Sequence, residues 1–139
     1  MIKEKLCLYL AWILSCTITL ASLYLSEIKH IEPCSLCWYE RLSLFPLTIF
    51  LGVALYKSFF SVFSYVIAFP ALGLIVSALH IALQEIPSFH PKVCSSAVSC
   101  AIKHSIGLGA ISIPMVAFAT FLILVVLLCV GKPRQGTNE

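Results

Sequence analysis

Charge is scarce in this sequence. Lys and Arg together number 9 and Asp and Glu 6 among 139 residues, so 11% of positions are charged while 60% are hydrophobic. A soluble globule carries about 25% charged residues. This chain has too little polar surface to cover one, and an integral membrane protein is the class that remains. The net charge of +3 is small and scattered, and no basic stripe with interleaved aromatics is present, which excludes a nucleic-acid partner. Internal repeats and low-complexity segments are also missing. No small-x-small cleavage site follows the first apolar run, and that run is longer than the ~7–15 residues of a signal core, so it reads as a retained helix behind a basic start at Lys3 and Lys5.

What is abundant is long apolar sequence. Four runs are expected to cross a ~30 Å hydrocarbon core, at about residues 6–25, 37–56, 59–83 and 111–130 of a single membrane domain covering 1–139. The second works only if its helix begins near Cys37, which places Glu40 and Arg41 at the membrane interface, where charges are costly and usually functional or paired. The plainer reading of both is an interfacial anchor whose charge snorkels to headgroups. The third run is interrupted by Pro70 and Gly73, and near its end Ser77, His80 and Gln84 form a polar stripe on one helix face. A helix-end histidine is commonly a hydrogen-bonded packing residue, but this stripe emerges on the side that carries Cys34 and Cys37. The fold expected is an all-α, four-transmembrane-helix bundle with two cysteine-bearing extracytoplasmic loops.

The seven cysteines divide by position. Cys7, Cys16 and Cys129 lie inside apolar runs and read as small buried hydrophobes. Cys34, Cys37, Cys94 and Cys100 lie in the segments between runs. Four spans put both termini on one side and both of these cysteine sets on the other. The positive-inside count barely separates the sides, with Lys3, Lys5, Lys57, Lys132 and Arg134 against Lys29, Arg41, Lys92 and Lys103. Redox compartment separates them better, since paired cysteines belong outside the cytosol. The termini are therefore expected in the cytoplasm and the cysteine loops in the periplasmic or extracellular space.

Cys34-x-x-Cys37 can close a disulfide, because residues i and i+3 of a helix approach within about 5–6 Å. Arg41, four residues past Cys37, is expected to hold a cation over the pair and favour the nucleophilic thiolate. The same spacing also serves as half of a zinc site or as a structural staple. Two dithiols on one face, one fixed beside an arginine and one on a long loop, point to a thiol-disulfide relay. A lipid-dissolved acceptor of two electrons is naturally a quinone, with Arg41 or His80 as donors to its carbonyl oxygens.

The run C-S-L-C-W-Y-E-R, Cys34 to Arg41, resembles the signature of the bacterial disulfide bond formation protein B (DsbB) family, four-helix membrane thiol oxidases that pass electrons from a thioredoxin-fold oxidase to a quinone. The C-S-S-A-V-S-C run from Cys94 to Cys100 is similar to the BdbC branch, and the likeness extends over essentially the whole chain. It implies that Cys34 and Cys37 are the quinone-proximal redox pair, with Cys37 as the thiolate next to the quinone. It also implies that Arg41 binds the quinone, ubiquinone or menaquinone, and that Cys94 and Cys100 oxidise a DsbA-like partner. The run H-I-A-L-Q-E-I-P, His80 to Pro87, is similar to the segment that closes the quinone pocket and implicates His80 and Gln84. No metal is implied. The setting implied is the bacterial cytoplasmic (inner) membrane, in support of disulfide formation in exported proteins. The spacing of Cys94 and Cys100 is tighter than in the best-known members, a departure that bears on the handover between pairs.

Three other readings stand beside this one. A four-cysteine zinc site gives Arg41 no purpose. Structural loop disulfides would be inert. A vitamin-K-epoxide-reductase-like enzyme would carry its quinone-side Cys-x-x-Cys late in the chain, whereas here it comes early.

Overall fold

A computed structural model describes residues 2–30, 33–58, 63–86 and 112–132. The described residues form five helices: α1 (Ile2–Glu27), α2 (Ser35–Lys57), α3 (Phe63–Val66), α4 (Ala68–Glu85) and α5 (Ile113–Gly131). α1 has 26 residues, α2 has 23, the α3–α4 stretch 23 and α5 19. At 1.5 Å per residue these lengths run from about 28 to 39 Å, which matches a bilayer core of ~30 Å. All four stretches are apolar enough to cross a membrane, so the chain is a four-span, multi-pass membrane protein.

The helices overrun the boundaries expected from the apolar runs. α1 continues through Glu27, which shortens the polar loop expected from Ser26 to Pro33. α2 begins at Ser35, so Cys37 belongs to its first turn and not to a loop. Residues 59–62 and 111, expected within the third and fourth spans, lie outside the described residues, as do Cys94 and Cys100.

The interruption in the third run falls at Ile67, between α3 and α4. Its cause is Pro70, which has no N–H to give the Val66 carbonyl and whose ring crowds that carbonyl. Gly73 does not interrupt the helix. It lets α5 come close: a Cβ there would collide with the ring of Phe121. Pro46, inside α2, leaves a carbonyl unpaired by its own helix, which bundled membrane helices tolerate. Pro114 sits in the first turn of α5, where a missing N–H costs nothing.

α1 packs on α2 and α5, and α4 packs on the same two, so the spatial order around the bundle is α1, α2, α4, α5. The register is antiparallel between neighbours. Between α1 and α2, the Thr19 and Thr48 hydroxyls are 3.3 Å apart, and Trp12 lies against Gly52. Gly131 of α5 meets Cys7 of α1 and Phe63 of α3. That contact puts the start of α1 and the end of α5 at one end of the bundle, opposite Cys34.

The core runs along the axis through Leu8, Ala11, Leu44, Leu47, Leu51, Phe121, Leu124 and Leu128, with Phe63 and Val66 closing the end nearest Gly131. Outward-facing Leu20, Ile49, Leu72, Ile75, Ile123 and Val126 are exposed, as the lipid-facing side of a membrane bundle requires. Buried hydroxyls return to their own helices: Ser15 donates to the Trp12 carbonyl, Thr120 to Val116 and Ser77 to Gly73. In hydrocarbon an unpaired hydroxyl costs several kcal/mol, on the order of 4–8 by transfer to cyclohexane, and these bonds remove that cost.

Candidate functional site

Cys34 is the residue from which α2 starts. Its backbone is extended, and its side chain does not cap the helix. The first helical hydrogen bond runs from the Trp38 N–H to the Cys34 carbonyl. The sulfur therefore stands beside the positive end of the helix dipole, which favours a thiolate. Cys37, one turn on and half-buried, brings its sulfur within 3.3 Å of Cys34 Sγ. Both are free thiols.

α4 supplies the third group. His80 is 2% exposed, and its Nε2 is 3.7 Å from Cys34 Sγ. Its Nδ1 lies 3.4 Å from Oε1 of Glu40, a buried residue on α2. With Nδ1–H donating to the carboxylate, Nε2 is the atom that faces the sulfur, either taking the thiol proton or, as imidazolium, donating to the thiolate. Leu36, Leu83 and Val76 pack around these groups and exclude water.

The hydrogen bond with the Cys37 thiol holds Cys34 well below the ordinary thiol range. His80 adds to this by hydrogen bond and charge, and both outweigh burial, which acts in the opposite direction. In the doubly reduced pair the thiolate thus resides on Cys34, with Cys37 S–H as donor. The family resemblance assigned the thiolate to Cys37. That assignment requires Cys34 to be engaged elsewhere, as it is when its sulfur is bonded to another cysteine.

Arg41 does not lie over the thiols. Its Nε donates to Ser22 Oγ at 2.8 Å and its Nη2 to the Ser22 carbonyl at 2.8 Å. The guanidinium carbon is 5.8 Å from the centre of the Trp38 ring. Cys34 precedes the helix in an extended conformation and so leaves the expected stripe, while Arg41, although one turn beyond Cys37 in α2, is drawn to Ser22 of α1 by its two bonds. The polar side chain that meets Cys34 from another helix is His80, and Arg41 ties α2 to α1. Gln84 sits one turn beyond His80 on α4 and is half-buried. Ser77, one turn before His80, is spent on the carbonyls of Gly73 and Leu74.

The sequence marked Glu40 as an interfacial charge but not as part of the site. The available signal was its position three residues after Cys37, on the buried side of α2. Its partner, 40 residues away on another helix, is invisible to spacing. Of the three cysteines read as buried hydrophobes, Cys7 and Cys16 are half-buried, whereas Cys129 faces outward. It sits on the surface of α5, where a small apolar side chain meets lipid.

The comparisons with known proteins agree with this architecture. The family model "Disulfide bond formation protein DsbB" matches residues 4–131. The chain is similar to "Probable disulfide formation protein C 2" of Bacillus anthracis, 36% identical over 138 residues, which cover 99% of each chain. It is similar to "Probable disulfide formation protein" of Chlamydia trachomatis, 42% identical over 129 residues and covering 93% of this chain and 94% of that one. "Disulfide bond formation protein C" of Bacillus subtilis is 35% identical over 130 residues, with the same two coverages of 93% and 94%. No solved structure matches. A model match over nearly the full length, joined by relatives above 30% identity end to end, places the chain in its family: it belongs to the DsbB family of disulfide bond formation proteins.

Proposed function

We propose that the chain is a membrane thiol oxidase that reoxidises a thioredoxin-fold disulfide oxidase outside the cytoplasm and delivers the two electrons to a membrane quinone. The observation that carries this is the Cys34–Cys37 pair, buried at one end of the bundle with His80 against Cys34 and Glu40 behind His80. A structural staple would need no imidazole, and a buried histidine–carboxylate pair beside a thiol is an arrangement for moving a proton.

In this reading Cys94 and Cys100 form the disulfide that the partner's dithiol attacks. Exchange passes through a mixed disulfide and leaves the partner oxidised and the loop pair reduced. The loop pair, with Cys100 as the attacking thiol, then opens the Cys34–Cys37 disulfide at Cys34 and sets Cys37 free as the thiolate. Closing Cys94–Cys100 again leaves Cys34 and Cys37 reduced, with Cys34 anionic. His80 holds the proton taken from Cys34, and Glu40 stabilises the imidazolium. A bound quinone would supply the oxidising power, accepting two electrons and two protons as Cys34 and Cys37 close to a disulfide.

The residues suit such a group. Trp38 and Tyr39 are 59% and 50% exposed on the outward side of α2's first turn, where a planar lipid-soluble ring would approach. Arg41, His80 and Gln84 are the side chains proposed to bind it. The cysteine end is assigned to the periplasmic or extracellular side of a bacterial cytoplasmic membrane, because disulfides persist there. The ends of α1 and α5 near Cys7 and Gly131 are assigned to the cytoplasm. The direct test is to give the purified protein, in detergent, a reduced thioredoxin-fold partner and either ubiquinone or menaquinone, and follow quinone absorbance. Catalytic quinone reduction is expected. Partner oxidation with no quinone consumed would contradict the reading.

A further inference from the structure

The two sulfurs and the imidazole also meet the requirements of a metal site. Cys34 Sγ, Cys37 Sγ and a His80 ring nitrogen all lie within 4.8 Å of one another. With Zn–S near 2.3 Å and Zn–N near 2.0–2.1 Å, a tetrahedral ion separates two sulfurs by about 3.8 Å and a sulfur from a nitrogen by about 3.6 Å. The distances here are 3.3 Å between the sulfurs and 3.7 Å from Cys34 Sγ to His80 Nε2. The third pair, Cys37 Sγ and the His80 nitrogen, lies within 4.8 Å, so side-chain rotations that move these atoms by up to about an ångström would complete three corners of a tetrahedron.

The surroundings point the same way. Metal-binding histidines usually donate their other ring N–H to a carboxylate, which fixes the tautomer and raises ligand basicity. Glu40 Oε1, 3.4 Å from Nδ1, occupies that position and leaves Nε2 as the unprotonated nitrogen on the sulfur side. A divalent ion also relieves the local charge. Two thiolates and a neutral imidazole carry −2, which the ion cancels, leaving only the Glu40 carboxylate behind His80 as net charge in a site walled by Leu36, Leu83 and Val76. Two thiolates and an imidazole select a thiophilic ion such as Zn2+ over Mg2+ or Ca2+.

We infer that the reduced Cys34–Cys37 pair, with His80, binds Zn2+ or a similar thiophilic cation, and that metal occupancy and the Cys34–Cys37 disulfide exclude one another. Binding breaks the Cys37 S–H bond and the Nε2–H bond of His80, which holds the Cys34 proton in the reduced pair, forms two S–metal bonds and one N–metal bond, and releases two protons. It involves no electron transfer. Three protein ligands leave one tetrahedral position for water or an added thiol. A metal held there blocks both thiols, so the ion acts as a brake on the dithiol that is set by its redox state. This site is distinct from a zinc site built from all four loop cysteines, because it needs His80 and needs neither Cys94 nor Cys100.

The test uses full-length protein in detergent, carrying Cys94→Ser and Cys100→Ser so that only the Cys34–Cys37 pair can respond, and neither partner nor quinone is present. Reduced protein is titrated with Co2+, and the Co2+ is then displaced by Zn2+. One equivalent is expected, with thiolate-to-cobalt charge-transfer bands, tetrahedral ligand-field bands and release of two protons. Protein oxidised with diamide should bind none. Glu40→Gln, which keeps the shape of the side chain, should weaken affinity about 10–100-fold, and His80→Ala should abolish the tetrahedral spectrum. Equal binding by oxidised protein would overturn the inference. So would an unchanged spectrum and affinity in both the Glu40→Gln and His80→Ala proteins. No binding by the reduced Cys94→Ser, Cys100→Ser protein, with binding by the unsubstituted chain, would overturn it in favour of the loop cysteines. None of these outcomes depends on whether the chain reduces quinone.

Discussion

The imidazole Nε2 of His80 lies 3.7 Å from the sulfur of Cys34, across 46 residues of sequence and between two different helices. Together with the hydrogen bond from Cys37, which is the larger effect, this contact makes Cys34 the more acidic of two thiols that are chemically equivalent in isolation. Its depressed pKa sets the sign of the pH dependence. As pH falls, Cys34 keeps its thiolate, and its reactivity is lost only when pH drops through that lowered value. Hydrogen bonds to a charged group contribute about 1.5–3 kcal/mol, and each pKa unit corresponds to ~1.4 kcal/mol. In His80→Ala the alkylation profile of Cys34, followed by mass spectrometry on the reduced protein, should move upward by about one to two pH units. Ser77→Ala should leave it in place, since the Ser77 hydroxyl is already used by its own helix. An unmoved profile in His80→Ala would reduce His80 to a packing residue.

Two roles are separable at Arg41: the clamp to Ser22 and the proposed contact with quinone. Its paired bonds to Ser22 join α1 and α2, and a lysine cannot reproduce the planar fork. Arg41→Lys should lower the melting temperature in detergent by an amount equivalent to about 1–3 kcal/mol and raise the apparent KM for quinone. Ser22→Ala removes the hydroxyl acceptor alone, and should lower the melting temperature less while leaving KM unchanged. If KM is the same in Arg41→Lys as in the wild type, Arg41 is a helix clamp and the quinone contact falls to other residues.

Close packing of α4 on α5 depends on one absent side chain. Gly73→Ala drives a methyl group into the Phe121 ring, an overpacking that typically costs about 1–3 kcal/mol. Phe121→Leu in the same chain should recover part of the loss, so the double substitution should melt above the sum of the two single effects. Strict additivity in thermal unfolding would mean that the two residues do not share this contact.

The helices and their number were legible because hydrocarbon demands long uncharged runs, and this sequence has four. The Cys34–Cys37 pair was legible because a dithiol is local in sequence. Longer-range matters were not. The interruption by Pro70 was expected, but Gly73 was read as a second interruption when its role is close packing against Phe121 on α5, a contact that only the packing of two helices reveals. Helical periodicity carried Arg41 toward the thiols because it lies one turn beyond Cys37. Periodicity within α2 gives no sign of Ser22 on α1, whose hydroxyl and carbonyl draw the guanidinium away. Glu40 and His80 were each visible as charges or polar groups near a membrane face, but their pairing depends on how α2 and α4 pack.

The claim at the centre of this account is that Cys34 and Cys37 carry electrons onward from the loop pair. The measurement that tests it most directly compares the wild type, Cys37→Ser, and a protein with Cys7, Cys16 and Cys129 all changed to Ala. Each is given excess reduced thioredoxin-fold partner and quinone, and oxidised partner is counted per molecule of enzyme. The wild type and the triple-alanine protein should turn over continuously, because Cys7, Cys16 and Cys129 are single free thiols outside the pair. Cys37→Ser should oxidise about one equivalent of partner through its loop disulfide and then stop, since a single thiol cannot regenerate a disulfide for the next exchange. Continuous turnover in Cys37→Ser would contradict the account.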